Sequence, residues 1–326
     1  MSTTPHALDR VLSWALQPWA LEPVMLATVA DILLTRATHG PRALDADELV
    51  ALQARRRPAP PADAGAVALI PVHGVIAPRI TGLSDISGGA TFQGLSAAVN
   101  AAADDPRTRA IVLDIDSPGG SVLGARVFAR DLLRARTKVP VIACVQYQGT
   151  SAAYWAAACA TEVVAAPGAI AGGIGVYLIH DDISKLLDQK GITRTLLHAG
   201  EQKLDGNENV PLGERAKARL QALVAENYRA FVADVALGRG QSAAHIEDTF
   251  GKGGVVTAEE GLERGMVDKI ATVEETLARF GVSPSSAVQP AALAPALGTP
   301  QEAETPTGQD RAAQMALERT VLTLGL

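Results

Sequence analysis

"AIVLDIDSPGGSVLGARVFARDLLRA" (110–135) decides the architecture of this chain. It opens with a short apolar run, which reads as a buried strand. The run ends in "SPGG", where Pro118 fixes φ and two glycines permit positive φ and close backbone approach. Apolar residues then recur at helical spacing over 122–135. Strand, glycine turn and helix follow one another without a gap, as in an α/β unit with parallel strands.

The same pattern continues on both sides. "VALIPVHGVI" (67–76), "VPVIACV" (139–145), "EVVAAP" (162–167), "GGIGVYLI" (172–179) and "TRTLLHAG" (193–200) read as further strands. "TFQGLSAAVNAAADD" (91–105) reads as a helix stopped by Asp105-Pro106. A second helix opens at Ser151. "DISKLLDQKG" (182–191) has the acidic start and glycine stop of another. The stretch 212–240 predicts a long amphipathic helix with Ala216, Leu220, Leu223, Tyr228, Phe231 and Val235 on one side. "TAEEGLERGMVDKI" (257–270) predicts a short helix and a last strand. The expected organisation is a helical segment over 1–54, a Pro/Ala linker over 55–66, a core over 67–282, and a Pro/Ala-rich tail over 283–326. A terminal helix is expected over 310–324, and the tail is too polar to fold alone.

Composition narrows the function classes. The chain has 326 residues, 48% of them hydrophobic, with a formal charge of −6. No basic footprint argues for nucleic acid. Arg55-Arg56-Arg57 sits beside prolines and reads as solvated linker. Cys144 and Cys159 lack metal-ligand spacing and read as buried free thiols, so no metal and no cofactor is expected. The apolar stretch near the N-terminus is interrupted by Glu22 and Asp31 and broken by Pro18 and Pro23. Neither a membrane span nor a secretory signal is expected from it.

Chemistry points to a second glycine turn, "QGTSAAYW" (148–155). Ser151 follows a strand and opens a helix. Its hydroxyl either caps a free N–H or is a nucleophile. Ala152 and Ala153 leave room over it, although Ala153 stands where a G-x-S-x-G elbow has its second glycine. A nucleophilic serine needs a base. His180 sits near a predicted strand end. Lys203, in "HAGEQKLDGN" (198–207), is the other candidate, because an amine held among apolar groups gives up its charge more easily. For Lys203 to serve, Glu201, Asp205 and Glu208 must point elsewhere. The "SPGG" backbone and the N–H of Ala152 are placed to face a developing oxyanion.

Taken in order, "IPVHGVI" (70–76), "DDPRTRAIVLDIDSPGGSV" (104–122), "GTSAAYWAAACATEVVAAPGAIAGGIGV" (149–176), "AGEQKLDGN" (199–207) and "TAEEGLERGMVD" (257–268) resemble the signal peptide peptidase A family of serine peptidases. That resemblance covers roughly 65–280 and implies the layered α/β fold of the Clp-protease/crotonase group. It implies Ser151 as nucleophile, Lys203 as general base, and Gly119 and Ala152 as oxyanion donors. The lysine context and "QPWALEP" (17–23) are similar to the phage branch, the capsid maturation proteases. The resemblance further implies polypeptide substrates such as scaffold, portal or coat proteins, and a bacterial-cytoplasmic or procapsid setting without a membrane anchor. It implies a homo-oligomeric ring in which serine and lysine can come from neighbouring protomers. The rivals are a cellular signal-peptide-clearing peptidase, an inactive assembly scaffold and an acyl-CoA-binding crotonase relative.

Overall fold

The computed structural model describes residues 66–79, 90–250 and 252–283, and the backbone of 19–21. Its strands are β1 (Trp19–Leu21), β2 (Ala66–His73), β3 (Thr108–Ser117), β4 (Gly119–Ser121), β5 (Val141–Thr150), β6 (Glu162–Ala165), β7 (Ile170–Gly172), β8 (Val255–Thr257) and β9 (Lys269–Ile270). Its helices are α1 (Phe92–Asp104), α2 (Ala125–Ala135), α3 (Ala152–Ala158), α4 (Ser184–Gln189), α5 (Glu214–Arg239), α6 (Ala243–Thr249), α7 (Ala258–Glu263) and α8 (Val273–Ala278).

The main sheet runs β2-β3-β5-β6-β9 with every neighbouring pair parallel. β7 continues beside the end of β5, and β8 closes on it antiparallel. This is the α/β architecture expected from the alternation of strand and helix. β3 explains why the apolar run is continuous. Ile111, Leu113 and Ile115 face the helices of one layer, while Ala110 and Val112 face the other side with Val273 and Leu277 of α8. A parallel strand covered on both faces has no solvent side to make polar.

Local signals place the helices. Thr91 accepts the N–H of Gly94 (3.1 Å) and starts α1. Thr272 and Glu275 form a reciprocal capping box at α8. α3 is built almost wholly of alanine around Tyr154 and Trp155, and all its residues are buried. Trp155 stacks on Phe231 of α5, ring centroids 4.4 Å apart and nearly parallel. Its indole N–H donates to Asp234 (3.0 Å), and the Tyr154 hydroxyl donates to the Met266 carbonyl (2.9 Å). Arg136 caps the far end of α3 at the Ala160 carbonyl (3.0 Å) and also reaches Gly238 O (2.9 Å). α3 is therefore held at its flank and its C-terminus.

Three expectations need correction. The stretch 172–179 is strand only up to Gly172; Gly172 and Gly173 both have positive φ (102° and 66°) and turn the chain out of the sheet. The stretch 193–200 is irregular, and Leu197 is 92% exposed, because no described strand offers it a pairing edge. α5 buries Ala216, Phe231, Val232 and Val235, all but Val232 on the expected face, but Leu223 on that face is exposed. Within the expected N-terminal helical segment, the described piece Trp19–Leu21 is a strand. The rest of that segment, the linker up to 65 and the tail from 284 lie outside the described residues.

Candidate active site

The site lies at the C-terminal ends of β3 and β5, where open parallel sheets place their ligands. Ser117, at the end of β3, is in register with Gly149 near the end of β5. The two glycine turns therefore lie side by side. Thr150 is in register with Gly172 of β7 on the other flank.

Ser151 occupies the step from β5 into α3 with φ 57° and ψ −123°. Such a backbone is costly for a residue with a Cβ, typically about 1–3 kcal/mol. It is held from both sides: the Ser151 N–H donates to Gly172 O (2.7 Å), and its carbonyl accepts from Trp155 N–H (2.9 Å). The hydroxyl makes no capping hydrogen bond, although the residue is only 3% exposed. Helix capping is thus not the use of this serine. A strained strand-to-helix turn that presents an unengaged hydroxyl has the form of a nucleophile elbow. The next N–H, that of Ala152, belongs to the first residue of α3 and has no intrahelical acceptor.

The "SPGG" turn is equally fixed. Gly119 has φ 102°, open to glycine and strained for other residues. A Cβ on Gly120 would lie 2.0 Å from Ile76 O, so the chain crosses there at backbone distance. Ile76 N–H donates to Gly119 O (2.9 Å), and Ser121 N–H donates to Ile76 O (3.0 Å). Buried Ser117 completes the tie. Its hydroxyl donates to Gly74 O (2.6 Å) and accepts the Gly119 N–H (3.1 Å). The Gly119 N–H thus points at Ser117 in this conformation. Sequence reading passed over Ser117, whose signal was its place one residue before Pro118 at a strand end.

Lys203 stands in an exposed turn, its own N–H donating to Gly200 O (3.1 Å). Its ammonium has no hydrogen-bond or ion-pair partner among the described residues, and no hydrogen bond joins it to Ser151 within one chain. Two of the three acids beside it are drawn away by Arg215, a residue sequence reading did not single out. Arg215 donates to Asp205 (2.9 Å) and to the Glu201 carbonyl (3.1 Å), and lies 3.5 Å from the Glu201 carboxylate. His180 lies against Asn207 O (3.3 Å) and is not hydrogen-bonded to the serine. Burial pushes the thiols of Cys144 and Cys159 up to about 12, which makes them inert. Among the described residues, no helix is long and apolar enough to cross a membrane.

Residues 134–282 match the family described as Peptidase family S49. This agrees with the resemblance read from the motifs, and Ser151 and Lys203 both fall inside the matched stretch. Among curated proteins, the chain is 29% identical over 211 residues to capsid assembly protease C of Escherichia phage lambda, covering 65% of this chain and 48% of that protein. It is 30% identical over 224 residues to head-tail preconnector protein GP5 of Enterobacteria phage P21, covering 68% and 44%. The chain spans about half the length of these relatives. Among solved structures, a 1510-N membrane protease from Pyrococcus horikoshii, specific for a stomatin homolog, aligns with a TM-score of 0.40 at 18% identity, covering 67% of this chain and 79% of that one.

Proposed function

We propose that this chain is a serine endopeptidase in which Lys203 takes the proton of Ser151. The backbone of Ser151 carries the reading. Its positive φ at a strand-to-helix step is costly, it is held by hydrogen bonds from two elements, and its buried hydroxyl is left without a capping role. Folding stores that strain at one residue, and a nucleophile is the use that explains it.

In the proposed cycle, the neutral amine of Lys203 accepts the Ser151 hydroxyl proton as Oγ bonds to a peptide carbonyl carbon. The carbonyl oxygen becomes an oxyanion facing the N–H groups of Ala152 and Gly119. Each such donor typically supplies about 3 kcal/mol of transition-state stabilisation. For Gly119 to take part, its N–H must exchange Ser117 Oγ for the oxyanion. The protonated amine gives its proton to the leaving nitrogen as the C–N bond breaks. The same amine then takes a proton from water as its oxygen bonds to the acyl carbon, and returns that proton to Oγ as the C–Oγ bond breaks.

The exposed, unpartnered Lys203 supports a dyad completed by assembly. A neighbouring protomer packed over this turn would exclude water from the amine and favour its neutral form. The phage relatives support polypeptides of the phage head as substrates, and a bacterial cytoplasm or procapsid as the setting. Labelling with a fluorophosphonate probe tests the reading. Wild type should label at Ser151, and Ser151→Ala and Lys203→Ala should not. Co-expression with candidate head proteins should show cleavage that either substitution abolishes. Cleavage that survives either one would refute the dyad.

A further inference from the structure

β4, the strand that follows the oxyanion turn, is not an open edge. On one side Ile76 takes the Gly119 carbonyl and the Ser121 N–H. On the other side lies β1, antiparallel, with Trp19 opposite Ser121, Ala20 opposite Gly120 and Leu21 opposite Gly119. Because hydrogen-bonding directions alternate along a strand, the N–H and C=O of Gly120 point away from Ile76 and toward Ala20. The ribbon thus spends the backbone groups of β4 on a segment far away in sequence.

An extended polypeptide docks most simply by adding a strand to an exposed sheet edge. Given the proposed peptidase reading, on which this inference rests, the edge beside Gly119 is where a substrate backbone would lie to bring a carbonyl to Ser151. That edge is filled by the chain itself. We propose that Trp19–Leu21 is an intramolecular inhibitory strand, which excludes extended peptides from β4 until it is released. A three-residue ribbon is short enough to exchange with a competing peptide. Gly120 cannot gain a side chain to defend the edge, because its Cβ position meets Ile76 O at 2.0 Å. Occupancy by the chain's own strand is a means of closing the edge that leaves the glycine turn intact.

The test reads binding, not hydrolysis, so that its failure is separable from failure of the peptidase reading. In the full chain carrying Ser151→Ala, a fluorescein-labelled peptide copying residues 17–23 is titrated by fluorescence anisotropy. Ala20→Pro removes the N–H that faces Gly120 and should tighten binding by about tenfold, as expected when an occluded site becomes free. Trp19→Cys with Ser121→Cys gives a second measurement that does not depend on tolerating proline. These residues face each other as a non-hydrogen-bonded pair, where Cα atoms sit about 4.5 Å apart and a disulfide fits. Cys144 and Cys159 are buried and stay out of the exchange. The oxidised pair should migrate as a single chain and lose peptide binding, and reduction should restore it. Equal affinity in the oxidised and reduced forms, a pair that does not oxidise, or a crosslink between two chains overturns the assignment. Fluorophosphonate labelling of the same variants with Ser151 restored reads the peptidase function separately. Strand-dependent binding without labelling would sink the hydrolytic reading and leave the strand in place.

Discussion

The two halves of the candidate dyad are built to different standards. Ser151 is 3% exposed, its backbone bonded to β7 and α3, with Trp155 and Tyr154 of that helix anchored behind it. Lys203 sits in an exposed turn within a stretch, 173–213, whose only helix is the six-residue α4. Leu197, Ile192, Leu186 and Ile179 are exposed along the same stretch. The serine half owes its geometry to a finished core. The lysine half has apolar side chains and an unpaired cation that nothing described covers. A nucleophile must be preorganised within one fold, whereas a base can be delivered by a surface that becomes dry on assembly.

The largest effect that would sharpen this contrast is complementation. Ser151→Ala and Lys203→Ala chains are each expected to be inactive. If the amine crosses to a neighbouring protomer, mixing the two in equal amounts should restore about a quarter of the sites in a randomly mixed ring. Peptide cleavage by the co-refolded mixture measures this. A mixture as inactive as its components, in oligomers shown to be mixed by mass, would place both residues in one chain.

The contrast also explains what the sequence could reveal. β3, β5, α2 and the opening of α3 were legible because burial writes itself as apolar runs and helical spacing. The places of Gly119 and Ser151, at the turns that leave β3 and β5, were legible because each follows a continuous apolar run. The stretch 193–200 has the residue types of a strand in "TRTLLH", yet a strand also needs an edge to pair with, and no described strand supplies one. Periodicity puts Leu223 on the apolar side of α5 with Ala216 and Phe231, but it does not say which positions of that side a neighbour covers. The roles of Arg215 and Ser117 depend on contacts between residues whose meeting no local pattern announces. The pairing of Trp19–Leu21 with β4 joins segments about a hundred residues apart and left no local trace.

Gly120→Ala tests the rigid half. The new Cβ would meet the Ile76 carbonyl oxygen at 2.0 Å, backbone against backbone, so neither side can yield cheaply. Overpacking of this kind costs about 1–3 kcal/mol. Thermal unfolding should show the loss, and fluorophosphonate labelling of Ser151 should slow as the proposed oxyanion turn moves. Unchanged stability would mean that β4 is not seated on Ile76. Arg215→Ala tests the exposed half. Without the guanidinium, Asp205 and Glu201 lose their ion-pair partner and are free to stabilise a charged amine beside them. Cleavage should then fall by about tenfold, and Arg215→Lys, which keeps a cation beside both acids, should lose less. An equal loss in Arg215→Ala and Arg215→Lys would instead mark Arg215 as a purely structural residue.

The smallest effect is the most diagnostic, because its sign is unusual. Ser151→Gly removes a hydroxyl that makes no capping hydrogen bond and a Cβ that makes φ 57° costly. Glycine adopts that backbone freely, but it also adds entropy to the unfolded chain, and that offsets part of the gain. The net expectation is a stabilisation of about 1 kcal/mol, seen as a raised melting temperature, with labelling and cleavage abolished. Most substitutions of a buried residue destabilise. A residue whose removal strengthens the fold while ending the chemistry is one that the fold holds against its own stability. If Ser151→Gly were instead destabilised like an ordinary core substitution, the strain would not be real and the strongest support for the nucleophile would be gone.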